Sequence, residues 1–464
     1  MAASLDPLPP LGPCLERQRS LDWLWPTQAR EPFWRQLDDL RQALESWPGG
    51  LLVVAEPTPL GTLAAVLAGL QTGVTVVLTN PQWGEAEWRQ VTPMVQPDWS
   101  RPLHPTLGVY PGRGRSPQPE VDLWIATGGS SGQIRFAGHT WSSLMAAVQG
   151  FRAHFGIAVV RAYCVLPLYH VSGLMQALRV LATGGTLALH PYPELKQQGG
   201  WDWPPGGFLS LVPTQLQWLL DQGDLHWPWL QSFDAILLGG APAWPALLTQ
   251  ARHLGLPLAP TYGLTETAGQ VTTLAPAAFL AGDSSSGPPL PHVHLQVLDP
   301  QGQPLGPGQT GVLSLQTAAL AQGYWPDRCG STPADRFLTE DLGYRDGQGH
   351  LHLVGRRNSL IISGGEKVLP QEIEALLLST GQVTDVCVVG VPDRRWGQRI
   401  CALIVPSPEF AGIQALATLI RPHLAPYKQP KQWWVVTALP RTPTGKLRRA
   451  EALALIDGGG EIEV

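Results

Sequence analysis

The stretch Leu439-Pro440-Arg441-Thr442-Pro443-Thr444-Gly445-Lys446-Leu447 puts one lysine on a loop stiffened by proline and glycine. Lysine is scarce in this chain. Of 31 Lys and Arg residues, only Lys196, Lys367, Lys428, Lys431 and Lys446 are lysines. The neighbours Arg441, Arg448 and Arg449 follow the arginine bias and Lys446 does not. A compact ammonium on a flexible stem reaches into a closed site as a point charge, which a planar guanidinium cannot do in the same way. A lone lysine in a loop is ordinarily solvated, so its meaning depends on what else the chain carries.

Upstream lie further blocks suited to a phosphorylated ligand. Thr127-Gly128-Gly129-Ser130-Ser131-Gly132 follows an apolar run over 121–126. Its glycines let backbone approach a phosphate, and its N–H groups and hydroxyls can bind one. It is not a Walker A loop, because the GxxxxGK[ST] pattern is absent. Gly239-Gly240-Ala241-Pro242 closes another apolar run with a glycine turn, a usual ligand position at the carboxyl end of a parallel sheet. Thr261-Tyr262-Gly263-Leu264-Thr265-Glu266 combines an aromatic face, a hydroxyl and a carboxylate, the last a hard oxygen ligand suited to Mg²⁺. His170 stands in Pro167-Leu168-Tyr169-His170-Val171-Ser172-Gly173, and Arg179 follows Gly173 by about two helical turns.

Together with the lysine tail, these blocks resemble the acyl-adenylate-forming superfamily, over roughly residues 51–449. That superfamily includes acyl-CoA synthetases, aryl-CoA ligases, luciferases and peptide-synthetase adenylation domains. The resemblance implies a two-step reaction of a carboxylate with Mg·ATP and then with coenzyme A. It gives Lys446 contact with the carboxylate and the α-phosphate. Thr127 to Gly132 would form the phosphate loop, although Arg135 stands where that loop has lysine and Ile134 where it has proline. Gly239, Gly240 and Ala241 would face adenine, with Tyr262 stacking beside it in the Tyr262-Gly263-Leu264-Thr265-Glu266 block. Thr265 would meet the α-phosphate and Glu266 the metal. Thr339-Glu340-Asp341 resembles a TGD block, with Glu340 in place of glycine, and gives Asp341 the ribose hydroxyls. Gly355-Arg356-Arg357-Asn358 resembles the hinge block, with Arg356 reaching ribose or phosphate and Asn358 as the hinge. Ser363, Gly364 and Gly365 would wall the pantetheine tunnel. The strings 166–173 and 210–216 are similar to those of o-succinylbenzoate–CoA ligases of menaquinone and phylloquinone synthesis. That similarity implies His170 shaping the carboxylate pocket, Arg179 pairing a second carboxylate and Ser210 lining the pocket. Other aryl or acyl carboxylates, and a catalytically inactive nucleotide-binding regulator, stay as alternatives. No carrier-protein domain is read, which disfavours a peptide synthetase.

The elements that must position these residues read as α/β. A helix is expected over 31–46. Strand–helix–strand units follow over 51–55, 60–70 and 74–78, then 163–166, 173–182 and 186–189, then 208–212, 214–221 and 235–238, implying parallel sheets. Residues 84–120 read as a long Gly/Pro-rich loop. Short strands and glycine turns over 290–356 suggest an antiparallel β module. The expected division is a large N-terminal domain over 1–356, with parallel α/β sheets plus that module, and a small mobile α+β C-terminal domain over 357–464. Strands over 360–362, 383–391 and 400–405 and a helix over 370–378 build the latter.

Composition narrows the classes. The 464 residues are 44 % hydrophobic and 14 % charged, with net charge −5, which gives no footprint for nucleic acid or an anionic membrane. Glycine and proline number 51 and 46, and apolar segments separate them throughout, so tight turns are expected and not disorder. The five cysteines, at 14, 164, 329, 387 and 401, are odd in number and lack CxxC spacing, so reduced thiols are expected. No signal peptide is read, and the apolar run 63–70 is too short to span a bilayer. A cytoplasmic protein is expected, with ATP, Mg²⁺, coenzyme A and a small carboxylate as ligands. Homo-oligomerisation is left open.

Overall fold

The computed structural model describes residues 6–47, 49–128, 133–198, 203–223, 226–326, 336–363, 366–441, 447–458 and 462–463. Local signals set the first strand–helix–strand unit. The Thr58 hydroxyl accepts from the Gly61 N–H at 3.3 Å, Pro59 occupies the first helical turn, and Gly73 ends the helix at φ +69°. That helix, Pro59–Thr72, buries every residue from Gly61 to Gly69, and its flanking strands Leu51–Val54 and Thr75–Leu78 pair in parallel.

Two large sheets follow from such units. One runs in the order Leu24–Trp25, Leu187–Leu189, Ala162–Cys164, Phe208–Leu211, Ala235–Leu238, Leu258–Leu264, Gly269–Thr273, parallel except for its last pair. The other runs Gly323–Trp325, Ile134–His139, Leu123–Gly128, Thr75–Leu78, Leu51–Val54, Val109–Gly112, with a parallel centre and antiparallel edges. Helices between them, including Trp141–Phe155 and Val171–Thr183, share one apolar core with both sheets. An antiparallel module of strands His294–Leu298, Gly311–Gln316, Phe337–Arg345 and Leu351–Arg356 packs its own core around Tyr262. Beyond residue 360 a sheet built on the long hairpin Val383–Asp393 and Gly397–Pro406 has separate cores on its two faces.

Three expectations need correction. Residues 84–120 are not one loop: they hold the helix Glu85–Val95 and the strand Val109–Gly112. The Glu87 carboxylate accepts from the Gly84 N–H at 3.1 Å and starts that helix, while Val91 and Val95 bury its inner face. Its start signal and apolar spacing outweigh the glycines and prolines around it. The N-terminal 48 residues carry a second helix, Leu11–Arg19, whose Arg17 guanidinium reaches the carbonyls of Leu181 and Ala182. The strand Gly323–Trp325 leaves the antiparallel module and pairs with Ile134–His139. Four cysteines, at 14, 164, 387 and 401, are buried free thiols, and Cys329 lies outside the described residues. Among the described residues no helix is long and apolar enough to cross a membrane.

Candidate active site

The candidate residues gather where strands end. Ser210 lies in Phe208–Leu211, opposite Leu237 of Ala235–Leu238, and Gly239, Gly240 and Ala241 come directly after that second strand. A Cβ on Gly239 would stand 2.9 Å from the Thr261 side chain, and Gly240 has φ +80°, so this turn requires glycine twice over. Tyr262 and Gly263 end the next strand, Leu258–Leu264, at a register break. There a Cβ on Gly263 would meet the Gly269 carbonyl oxygen at 2.4 Å. Thr265 and Glu266 form the short 3-10 turn that follows. All these positions are at the carboxyl ends of parallel strands, where open α/β sheets place ligands.

Asp341 holds the far side together. Its Oδ2 accepts from the Tyr262 hydroxyl at 2.7 Å and its Oδ1 from Arg356 Nε at 2.8 Å. Asp341 and Arg356 are paired across adjacent strands, so backbone register puts them together. Burial first, and the Asp341 charge second, raise the Tyr262 hydroxyl well above its ordinary value, so it donates and does not ionise. Each Asp341 oxygen keeps a second lone pair for a ligand hydroxyl. Glu340, the departure from glycine, is exposed while Thr339 and Asp341 are buried. Strand alternation turns it away from the site.

Glu266 Oε1 accepts from the Tyr324 hydroxyl at 2.7 Å, and Oε2 makes no hydrogen bond to a described residue. Arg135 lies over the Tyr324 ring at 5.9 Å. Thr127 pairs with Arg135, and Gly128 with Ile134, at the base of the hairpin that carries the candidate phosphate loop. Gly129, Ser130, Ser131 and Gly132 lie outside the described residues. The two sheets are tied together here, because His139 Nε2 donates to the Thr265 carbonyl at 2.8 Å. Burial, partly opposed by that hydrogen bond, lowers the His139 pKa from 6.5 to about 4. The unfolded chain therefore takes a proton below pH 6.5 that the folded chain refuses until about 4. Stability falls as pH drops through that window, by up to about 1.4 kcal/mol per pH unit. Denaturant midpoints measured from pH 7 to 4 should show this slope, and His139→Gln should flatten part of it.

Arg179 is buried on the helix Val171–Thr183, its guanidinium 4.1 Å over the Phe151 ring. It makes no ion pair with a described residue, and its Nε is buried without a hydrogen-bond partner. Burial lowers its pKa to about 9, which leaves it cationic at neutral pH. Gly269, just past the Thr265–Glu266 turn, leaves room beside it: a Cβ there would stand 3.9 Å from Nη2. Phe151 also packs on Phe208 with ring centroids 4.9 Å apart. Ser210 is two residues beyond Phe208 in the same strand and so shares its face. Ser210 is buried and its hydroxyl makes no hydrogen bond to a described residue. His170 is the N-cap of the Arg179 helix, half-buried and in ring contact with Tyr169.

Arg356 ends the strand Leu351–Arg356, and Asn358 occupies the 3-10 turn Arg357–Ser359 that leads into the last sheet. Ser363 is buried at the end of the strand Ile361–Ser363, and Gly364 and Gly365 lie outside the described residues. Lys446 also lies outside them, but the base of its loop does not. Arg441 bridges to Leu447, and the Arg448 N–H donates to the Pro440 carbonyl at 2.9 Å. Arg441 pairs with Asp385 and Arg449 with Glu374, at 2.5 and 2.7 Å. Arg448 reaches Glu87 at 3.7 Å. Three residues on from Glu87, the Gln90 side chain accepts from the Ile134 N–H at 3.0 Å, in the strand that follows the candidate phosphate loop.

Sequence reasoning missed Tyr324, His139 and the seat of Arg179 on Phe151. None belongs to a motif, and only pairing between distant strands and helices brings them in.

A family model described as AMP-binding enzyme matches residues 113–325, and one described as AMP-binding enzyme C-terminal domain matches residues 372–446. The chain is 35 % identical over 341 residues to the 2-succinylbenzoate–CoA ligase of Geobacillus kaustophilus, covering 71 % of this chain and 67 % of the relative. It is 32 % identical over 359 residues to the indoleacetate–CoA ligase of Aromatoleum aromaticum, covering 74 % and 69 %. The solved o-succinylbenzoate CoA synthetase of Bacillus subtilis, in complex with the acyl-adenylate intermediate OSB-AMP, has a TM-score of 0.77 at 23 % identity. That match spans 95 % of this chain and 97 % of the other, a likeness of fold.

Proposed function

Because this chain belongs to the AMP-binding enzyme family, we propose that it is an AMP-forming ligase that joins o-succinylbenzoate to coenzyme A, a step of menaquinone or phylloquinone synthesis. The observation that carries the substrate is Arg179, a buried cation with no acidic partner among the described residues. An uncompensated buried charge costs several kcal/mol, which a second carboxylate on the substrate offsets. Identity alone does not choose between acids, since relatives named for a succinylbenzoate and for an indoleacetate stand within a few per cent of each other.

In the first step a carboxylate oxygen attacks the α-phosphorus of ATP and pyrophosphate leaves. In the second the CoA thiol attacks the acyl carbon and AMP leaves. Positioning and charge stabilisation account for most of the first step. Thr127 to Gly132 and Arg135 hold the β- and γ-phosphates. Gly239, Gly240, Ala241, Tyr262 and Gly263 frame the adenine, and Asp341 with Arg356 takes the ribose. Thr265 faces the α-phosphate, and His139 fixes its backbone. Glu266 fits a magnesium ion, because Tyr324 engages only one of its two oxygens. A magnesium ion held by Glu266 would neutralise phosphate charge. His170, Arg179 and Ser210 form the acid pocket. Lys446 contacts carboxylate and α-phosphate together.

We place the domain division at 356/357, with Asn358 as hinge. The separate cores beyond residue 360 support it. Rotation about that hinge withdraws Lys446 and brings Ser363, Gly364 and Gly365 to the thiol's path. We assign the reaction to the cytoplasm, where ATP and a reduced CoA thiol are supplied. The direct test is AMP release with o-succinylbenzoate, which should require both ATP and CoA and yield the thioester in equal amount. Turnover with other carboxylates but not with this one would remove the substrate assignment.

A further inference from the structure

We propose that His292 is a second recognition residue for the substrate carboxylate that Arg179 meets, so that a fixed Arg–His pair selects a dianionic acid. This rests on the substrate reading above and extends it to a residue outside every motif.

The geometry comes from one helix, Trp141–Phe155. Gly150 carries the His292 ring: a Cβ there would lie 1.7 Å from Nδ1 and 2.4 Å from Cγ and Cε1. Only a glycine leaves that seat open. The next residue, Phe151, carries the Arg179 guanidinium at 4.1 Å. Consecutive positions of the helix thus seat the two side chains as neighbours. Their closeness is felt electrostatically: burial first, and the Arg179 charge second, lower the His292 pKa to about 4. The ring is therefore neutral at neutral pH and holds one N–H donor. Both ring nitrogens are buried, and neither has a hydrogen-bond partner among the described residues. Buried polar groups are nearly always paired. A buried cation and a buried donor, within electrostatic reach of each other and each with an unpaired nitrogen, together describe a carboxylate receptor. Gly269, two residues past the Thr265–Thr267 turn, has φ +105° and a Cβ position 3.9 Å from Arg179 Nη2, so Arg179 lies on the side of the Tyr262–Glu266 block. A carboxylate held there can accept from the guanidinium with one oxygen and from the imidazole with the other.

His292→Phe keeps the ring and removes the donor. It should raise KM for o-succinylbenzoate about tenfold, the worth of one hydrogen bond to a charged group, with KM for ATP unchanged. KM for 4-oxo-4-phenylbutanoate, which lacks the ring carboxylate, should not move. His292→Gln, which restores a donor, should recover part of the loss. Gly150→Ala places a helix-favouring residue under the ring and should reproduce the selective rise by displacing it, whether or not His292→Phe folds. The Arg179→Ala, His292→Phe double variant should lose less than the product of the single effects. If Arg179→Ala is selective for the dianion while His292→Phe and Gly150→Ala leave its KM unchanged, or raise KM for both acids alike, the His292 proposal falls and the substrate reading stands. If Arg179→Ala itself fails to discriminate the two acids, the substrate reading falls and this inference with it.

Discussion

Lys446→Ala should lower acyl-adenylate formation by on the order of 10²–10³-fold or more, the scale for removing a preorganised charge from a transition state. Conversion of preformed acyl-AMP and CoA to thioester should stay near wild type. Arginine far outnumbers lysine in this chain, yet residue 446 is a lysine, with Arg441, Arg448 and Arg449 around it in sequence. The structure explains what those arginines do instead. Arg441 and Arg449 are spent on Asp385 and Glu374, and Arg448 on Glu87 and Glu451. They brace the base of the loop beside the helix Glu85–Val95, whose Gln90 holds the Ile134 strand. With those arginines engaged, the proposed contact with carboxylate and α-phosphate falls to Lys446, and a reaching point charge suits a flexible ammonium. Lys446→Arg should therefore recover little. Stopped-flow or quench measurement of each half-reaction checks this, and equal loss of both with the fold intact would contradict it.

Arg179→Ala should raise KM for o-succinylbenzoate by on the order of 10²–10³-fold, the equivalent of roughly 3–5 kcal/mol for breaking a buried charged pair. KM for ATP should hardly change, because the residues proposed for the nucleotide are tied on other elements, Asp341 to Arg356 and Tyr262, and Glu266 to Tyr324. Arg179→Lys should recover only part, since two parallel N–H donors are replaced by a point charge. The free variant should be no less stable, and stability is the readout that separates a ligand-binding cation from a structural one. An arginine paired within the protein would leave an orphaned acid when removed. Arg179 has no acidic partner among the described residues to orphan. An unfolding midpoint that falls steeply in Arg179→Ala, with KM raised alike for both carboxylates and ATP, would contradict the assignment.

Much of this was legible in the sequence where signals are local. The helix Pro59–Thr72 announces itself by Thr58 and Gly73, and the strands Leu51–Val54 and Ala235–Leu238 by short apolar runs. The motif blocks are short contiguous runs, so Tyr262, Thr265, Glu266 and Asp341 are legible as candidates in the sequence alone. The structure adds how they are held, as in the Tyr262–Asp341–Arg356 chain. Residues brought in by distant pairing were not legible. Tyr324 reaches Glu266 because its strand crosses to another sheet, and His292 comes within electrostatic reach of Arg179 because a glycine in a third element seats it. No periodicity or propensity encodes either meeting. The helix Glu85–Val95 was missed for a local reason, since prolines and glycines around it masked the Glu87 start signal.

A carboxylate-selecting pocket beside an adenylating site is tested most directly by pyrophosphate exchange into ATP by the wild-type protein. Exchange needs only the first half-reaction, so it is independent of coenzyme A and of domain rotation. With o-succinylbenzoate it should be rapid and Mg²⁺-dependent. With 4-oxo-4-phenylbutanoate, the same chain without the ring carboxylate, kcat/KM should be lower by on the order of 10²-fold or more, because Arg179 is then left buried and unpaired. Equal exchange with the two acids would contradict the account, and the chain would be a ligase of general acyl substrates.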